Sequence, residues 1–310
     1  MPSLAALPLI GALLAGPAAT EIALPSEPAP LQGVLLTPEG QVRAAALIIS
    51  GSGPTDRDGN NPLGVKGDML RLLAEGLTAD GIASVRYDKR GVAQSRAAAL
   101  DETALTFDRL VDDARAWVSE TASRTGRPCV WLIGHSEGGL IAQSAAVDNP
   151  KVCGLVLLAA VGQKAGDQLR EQLEAGLPEA IKPAAMHALD ELEAGRTTDN
   201  IPGLEPLFRP SVQPYLISYF ARDPIALIQA YPGPVLIGQG STDIQVPADN
   251  ADRLAAAQPR AERVIFDGAN HLLRAAPMDR LANAATYGDA NAVLDPRVVP
   301  TVAAFILKDR

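Results

Sequence analysis

An α/β fold built on a mostly parallel central sheet, with helices on both faces, is what this sequence predicts, and three observations carry the prediction. Short apolar runs of strand length alternate with longer amphipathic runs of helical spacing over most of the chain. Several of the strand-like runs are apolar at every position, as in strands covered on both faces. Loops rich in Gly, Asn and Asp follow some of those strands, and in an open parallel sheet such loops gather at one edge, where ligands bind.

In chain order, 31–36 and 44–50 read as two strands joined by a turn at Gly40, the second one interior. A loop from Ser50 to Pro62 follows, too rich in Gly, Asn, Asp and Pro to be regular. Residues 68–80 form a helix through Met69, Leu72, Leu73 and Leu77, closed by Gly81, and 82–88 form the next strand. Thr106 is placed to cap a helix over 107–122, with Leu110, Val111, Ala114 and Val118 on one face. Val130 to Ile133 and 155–160 are strands, with a helix over 140–147 between them.

The alternation breaks at 162–231, where helix-like pieces (168–173, 184–192) are separated by Pro183, Pro202, Pro206, Pro210 and Pro214, and an insertion is the simplest account. It resumes with a strand at 235–238, a helix at 248–257, a strand at 264–266 and a terminal helix near 298–307.

The N-terminal run Leu4 to Ala19 is apolar, small and uncharged, with the length of a signal-peptide core. Pro8, Gly11 and Pro17 interrupt it, so a stable membrane span is not expected. Residues 1–20 are therefore expected to be a leader cleaved near Ala18 or Ala19, with export to the periplasm or beyond. The Pro-rich stretch within 21–30 becomes an extended lead-in to a domain over 31–310. No Lys or Arg precedes Arg43, unlike the usual basic start of a leader, so a cytoplasmic location stays open as the alternative.

Each of the two cysteines, Cys129 and Cys153, begins a strand-like run. If those strands are parallel neighbours the thiols start level, which permits a disulfide. Two buried free thiols are the alternative.

With 27 Lys+Arg against 36 Asp+Glu, a formal charge of −9, the surface offers no broad basic face for a nucleic acid. Asp56-x-Asp58-x-Asn60 starts like a calcium loop but lacks its hinge glycine and its closing glutamate. Gly59 to Lys66 fails the phosphate-loop spacing, and three scattered histidines with two cysteines make no zinc cluster. Neither a metal nor a cofactor is expected.

The chemistry points instead to Gly134-His135-Ser136-Glu137-Gly138, set between an apolar strand and a helix start. That is the context a nucleophile elbow requires, a sharp turn that lifts a serine above the sheet. A serine hydroxyl needs a base, usually a histidine oriented by a carboxylate. Of the three histidines, His135 should point away from the serine's site and His187 lies in the irregular insertion. His271, in the loop after the last strand, is therefore the candidate base.

The acid should come from a post-strand loop between serine and histidine. Asp243 is preferred to Asp267, because a carboxylate from a neighbouring strand can face the imidazole without a tight turn. Oxyanion donors are expected from the backbone N–H of Glu137 and, after the 44–50 strand, of Ser52, with Gly53 next.

With these residues in place the chain resembles the α/β-hydrolase superfamily after about residue 31, more narrowly the bacterial serine esterases related to the S9 and S33 peptidase lineages. The carrying stretches are Ser50 to Asp58, Arg86-Tyr87-Asp88-Lys89-Arg90-Gly91, Gly134 to Gly139, Leu207 to Gln213, Asp243 to Val246, and Asn270-His271. Ala93 stands where a glycine would be expected.

The resemblance implies carboxylesterase activity on small acyl esters, a helical cap formed by the insertion, and often export. It also implies that the charges at Asp56 to Asp58 and Arg86 to Arg90 brace loops, with Arg57 or Lys89 open to an anionic substrate. A peptidase or thioesterase with the same three groups, or a non-catalytic binder keeping the fold, are the alternatives. The sequence leaves oligomeric state open.

Overall fold

The computed structural model describes residues 18–308. Eight strands form one sheet: β1 (Ala18–Leu24), β2 (Leu31–Thr37), β3 (Ala44–Ile49), β4 (Ile82–Tyr87), β5 (Val130–His135), β6 (Val152–Leu158), β7 (Val235–Gly240) and β8 (Glu262–Phe266). Their spatial order is β1-β2-β4-β3-β5-β6-β7-β8. β2 runs antiparallel to both its neighbours, and every other pairing is parallel. β2 and β3, joined by a turn in sequence, do not pair with each other, because β4 returns between them.

The helices are α1 (Met69–Ala79), α2 (Phe107–Thr125), α3 (Glu137–Ala146), α4 (Ala165–Gly176), α5 (Lys182–Glu193), α6 (Glu205–Phe208), α7 (Gln213–Phe220), α8 (Pro224–Ala230), α9 (Asp249–Ala257), α10 (Arg280–Ala285) and α11 (Val298–Leu307). Thr106 does cap α2, its Oγ1 accepting from the Arg109 N–H at 3.3 Å.

Because successive side chains of a strand point to opposite faces, each interior strand serves two cores. Ala45, Leu47, Ile49, Leu132, Leu155, Leu157, Val235 and Ile237 pack with α2, α3 and α9 on one face. Ala46, Ile48, Trp131, Ile133, Val156, Leu158 and Leu236 pack with α1 and α11 on the other. This double burial is why these strands carry no polar alternation in sequence. Helices α4 to α7 form a third cluster of their own around Leu189, Leu192, Phe208 and Phe220, which is the helical cap between β6 and β7.

The lead-in expected over 21–30 is corrected in part. Ala18–Leu24 is an edge strand with seven paired positions on β2. Only Ile22 and Leu24 of its seven residues are buried, so its stability comes from backbone pairing that no local pattern announces. Glu21 accepts from Arg57 Nη1 at 2.8 Å, while Arg90 binds the Glu27 carbonyl and Ser26 Oγ, so distant arginines hold this segment. The expected leader lies outside the described residues except for its last three, which begin β1. Among the described residues no helix is long and apolar enough to cross a membrane.

β5 and β6 are parallel neighbours, and Cys129 and Cys153 form a disulfide with Cα atoms 5.2 Å apart. The β5/β6 register shifts at this point, Val130 facing Val152 and Trp131 facing Gly154, so Cys153 is the extra residue. A bridge closing 24 residues of sequence should contribute roughly 2–4 kcal/mol by restricting the unfolded chain. Denatured, unreduced protein from an oxidising host should titrate no free thiol, and the Cys129→Ala/Cys153→Ala variant should melt at lower temperature. Two titrating thiols would show that the bridge does not form.

Candidate active site

From Val130 to Ala146, strand β5, its turn and helix α3, every residue is buried except Ser136. Ser136 lies in the turn with φ 55° and ψ −124°, a strained conformation for a residue with a side chain, costing roughly 1–3 kcal/mol. The helix can start so abruptly because side chains are missing around it. A Cβ on Gly134 would stand 2.3 Å from the Gly138 carbonyl oxygen, and one on Gly138 would stand 2.3 Å from that of Ile49. The Ser136 N–H donates to the Leu158 carbonyl on β6 at 2.9 Å, which anchors the turn to the sheet.

Asp243, after β7, and His271, after β8, meet at this edge: His271 Nδ1 lies 2.8 Å from Asp243 Oδ2. A buried carboxylate beside an imidazole nitrogen accepts a proton-bearing donor, so Nδ1 carries the hydrogen and Nε2 is left free to accept one. The rest of the carboxylate is occupied. Oδ1 accepts from the N–H groups of Gln245 and Val246 at 2.8 and 2.9 Å, and Oδ2 also accepts from Gln239 Nε2 at 2.9 Å. Burial alone would raise the Asp243 carboxyl, but His271 and these backbone donors outweigh it and hold it below its usual value. Asp267, the competing carboxylate, accepts from Ser241 Oγ at 2.9 Å instead. Asn270, fully buried, shapes the His271 loop by accepting from the N–H groups of Leu272 and Arg274.

Among the described residues no hydrogen bond joins the Ser136 hydroxyl to His271. Without substrate such bonds are often long and tighten on binding. The elbow and the His271 loop are joined through His135. Its ring was expected to turn away, yet it lies against that of His271, centroids 4.8 Å apart, and its Nε2 bonds the His271 carbonyl oxygen at 2.8 Å. A carbonyl only accepts, so His135 carries its hydrogen on Nε2. Burial first, and repulsion from His271 second, push its pKa down to about 3, so it is neutral and braces the loop that carries His271.

Neither cation considered for an anionic substrate is free. Arg57 binds Asp88, Glu21 and Gln94 through its guanidinium. Lys89 is buried, 3.2 Å from Glu137 Oε1, and also donates to the Gly51 carbonyl. The other oxygen of Glu137 accepts from the hydroxyl of Tyr215 in the cap. Sequence reasoning missed this link, whose partners lie 48 and 78 positions apart. Tyr219, beside Tyr215, stacks on Phe107 of α2 at 5.0 Å, so these two tyrosines join cap to body.

Glu137 is the first residue of α3, where a helix leaves its N–H without an intrahelical partner. Gly51 packs on Ser136, since a Cβ there would stand 3.2 Å from the Ser136 Cβ, and this brings the Gly51–Ser52 peptide beside the elbow. A separate cavity of about 510 Å³, lined by Lys164, Asp167, Glu193, Asp223 and Phe220 among others, lies between the β6 loop and the cap and includes none of Ser136, Asp243 and His271. Among the described residues no group of three or more His, Cys, Asp or Glu side chains is arranged to hold a metal.

The neutral His135 has a consequence for stability. Its folded value near 3 lies below the unfolded value of 6.5, so between these pH values only the unfolded chain binds the proton. Stability should therefore fall as pH falls through that window, by up to ~1.4 kcal/mol per pH unit. His135→Gln, which keeps a donor for the His271 carbonyl but cannot titrate, should lose less stability between pH 6.5 and 4.5 in urea unfolding. Equal losses in the two proteins would refute a buried, neutral His135.

A family model described as serine aminopeptidase, S33, matches residues 66–200, a span that includes Ser136 but neither Asp243 nor His271. No curated protein matches the chain. Among solved structures it is similar to Est1E from Butyrivibrio proteoclasticus, with TM-score 0.62 and 17% identity over 93% of this chain and 98% of that one. It is also similar to a thermophilic esterase from Thermogutta terrifontis, with TM-score 0.53 and 20% identity over 87% and 97%. A putative hydrolase from Agrobacterium vitis S4 has TM-score 0.57 and 17% identity over 94% and 100%. By its sheet order, its cap and these likenesses the chain is an α/β-hydrolase in fold.

Proposed function

We propose that the protein is a serine hydrolase that cleaves small carboxylic esters through Ser136, His271 and Asp243. The observation that carries this reading is that Ser136 alone is only half-buried in an otherwise buried strand and helix, at the sheet edge where the Asp243–His271 pair also stands. In the proposed reaction Ser136 Oγ attacks the ester carbonyl as His271 Nε2 takes its proton, giving a tetrahedral oxyanion held by the N–H groups of Ser52 and Glu137. The intermediate collapses, the C–O bond to the alcohol breaks, and His271 returns the proton to the leaving alkoxide. Water, deprotonated by the same nitrogen, then attacks the acyl enzyme and releases the acid and the serine. Asp243, with every acceptor position filled, keeps the imidazole in the tautomer that leaves Nε2 free.

The S33 aminopeptidase description of the matching family favours a second reading, cleavage of an N-terminal peptide bond. Such an enzyme must bind the substrate's ammonium group. Of the buried carboxylates at the elbow, Asp243 is engaged by His271, and Glu137 by Lys89 and Tyr215, which favours the ester. The disulfide supports the proposal that the enzyme works in an oxidising compartment after export, with the cytoplasm as the alternative.

A chain-length series of p-nitrophenyl esters beside a panel of aminoacyl nitroanilides tests the reading. Short esters should turn over, anilides should not, and Ser136→Ala should lose roughly 10³-fold or more in kcat. Comparable anilide rates would replace the esterase with a peptidase. Silence of the wild type on both, with no labelling by a fluorophosphonate, would leave a non-catalytic binder.

A further inference from the structure

Lys89 has a place in the site that the three reacting groups do not explain. It leaves the loop after β4 and reaches the elbow fully enclosed, 4% exposed, where a lysine is found only if its charge is met. Two groups meet it, the Glu137 carboxylate at 3.2 Å and the Gly51 carbonyl oxygen. Each belongs to one half of the oxyanion site proposed above. Glu137 supplies one donor through its own N–H. The Gly51 carbonyl shares a peptide plane with the N–H of Ser52, the other donor.

A trans peptide points its C=O and N–H in opposite directions, and the plane turns as a unit. Holding the Gly51 oxygen on the ammonium therefore holds the Ser52 N–H on the far side of that plane. Gly51 packs on Ser136 and His135, but the loop beyond it is exposed from Ser52 to Pro54, and among the described residues the Lys89 ammonium is the one hydrogen-bond donor to the Gly51 carbonyl. The Ser52 N–H donates to no other group among the described residues, which leaves it available. An ammonium on the carbonyl also polarises the amide, making the N–H a stronger donor.

We propose that Lys89 is a positioning residue for the oxyanion hole: its ammonium cross-links the Gly51 carbonyl to the Glu137 side chain, and so sets both the direction of the Ser52 N–H and its spacing from the Glu137 N–H. The Tyr215 hydroxyl on the second oxygen of Glu137 fixes that carboxylate from the cap side. The inference rests on the ester-hydrolase reading and deepens it.

The test separates the two. Wild type and Ser136→Ala first establish serine-dependent ester turnover, and its absence would defeat the hydrolase reading itself. Lys89→Met alone would strand the Glu137 carboxylate in the interior and Glu137→Gln alone would strand the Lys89 ammonium, so the informative comparison is Lys89→Met/Glu137→Gln against wild type. The double variant keeps at 137 an uncharged side chain that can still accept from Tyr215, and rates are normalised to sites titrated by a fluorophosphonate.

Removing an oxyanion donor outright costs on the order of 10²–10³ in kcat, and a donor left free to rotate should cost on the order of 10- to 100-fold with KM little changed. Affinity for an alkyl trifluoromethyl ketone, which forms a tetrahedral adduct, should fall by the same factor as kcat/KM, while binding of the planar acid product should not change. A purely structural lysine would not separate these two ligands. Equal kcat in the double variant and wild type, or a loss carried by KM alone, would overturn the proposal.

Discussion

The turn at Ser136 is the constraint on which the rest of the structure depends. A side chain raised out of the sheet at φ 55° requires the backbones of β3, β5 and α3 to pass within distances that no Cβ tolerates, 2.3 Å at both Gly134 and Gly138. Strain of that kind persists only where the surroundings over-determine it. Here they do, since β5 is buried on both faces, α3 is buried along its whole length, and the disulfide ties the start of β5 to that of β6. The cost of the elbow is distributed over a core whose many apolar contacts would all have to shift for the turn to relax.

Around this turn the interior holds several buried charges that meet opposite ones. Asp243 is saturated by four donors, Arg57 lies on Asp88, and Arg90 on Asp113. Buried pairs of this type give little net stability compared with apolar packing, because desolvation offsets most of their attraction. What they supply is direction. Each arginine fixes a loop that leaves the C-terminal side of a strand, so the loops over the sheet edge are held by oriented bonds instead of shapeless contacts.

The legible part of the chain was the part written locally. Two-sided burial makes β3, β5, β6 and β7 read as continuous apolar runs, and small residues beside Ser136 mark a tight turn at the sequence level. Asp243 rather than Asp267 faces His271, as expected of a carboxylate from a neighbouring strand that needs no tight turn to reach the imidazole. Other features depend on pairing across long separations and leave no local trace. β1 is a strand because β2 lies beside it, and its alanine-rich sequence shows only two buried positions. Gln239 supports Asp243 from within a strand that otherwise reads as a plain buried run. Ala93, which stands where a glycine would be expected, holds φ 41°, which is why a glycine suits that turn. His135 was misjudged because the two sides of the elbow are set by tertiary packing and not by its neighbours in sequence.

The cap follows the same division between what stabilises and what orients. Its ion pairs to the body, Glu102 with Arg209 and Asp108 with Arg222, are partly open to solvent and contribute modestly. The stacking of Tyr219 on Phe107 supplies apolar attachment, but an aromatic contact tolerates sliding. The Tyr215 hydroxyl tolerates much less, because it is buried and its partner is a carboxylate with one oxygen already on Lys89. Leaving that hydroxyl unpaired would cost about 1–3 kcal/mol, more than either of those ion pairs returns. The cap is therefore registered against the residue next to the nucleophile with the tolerance of one hydrogen bond, and a displacement of the cap cannot occur without disturbing the carboxylate that the site's buried lysine requires.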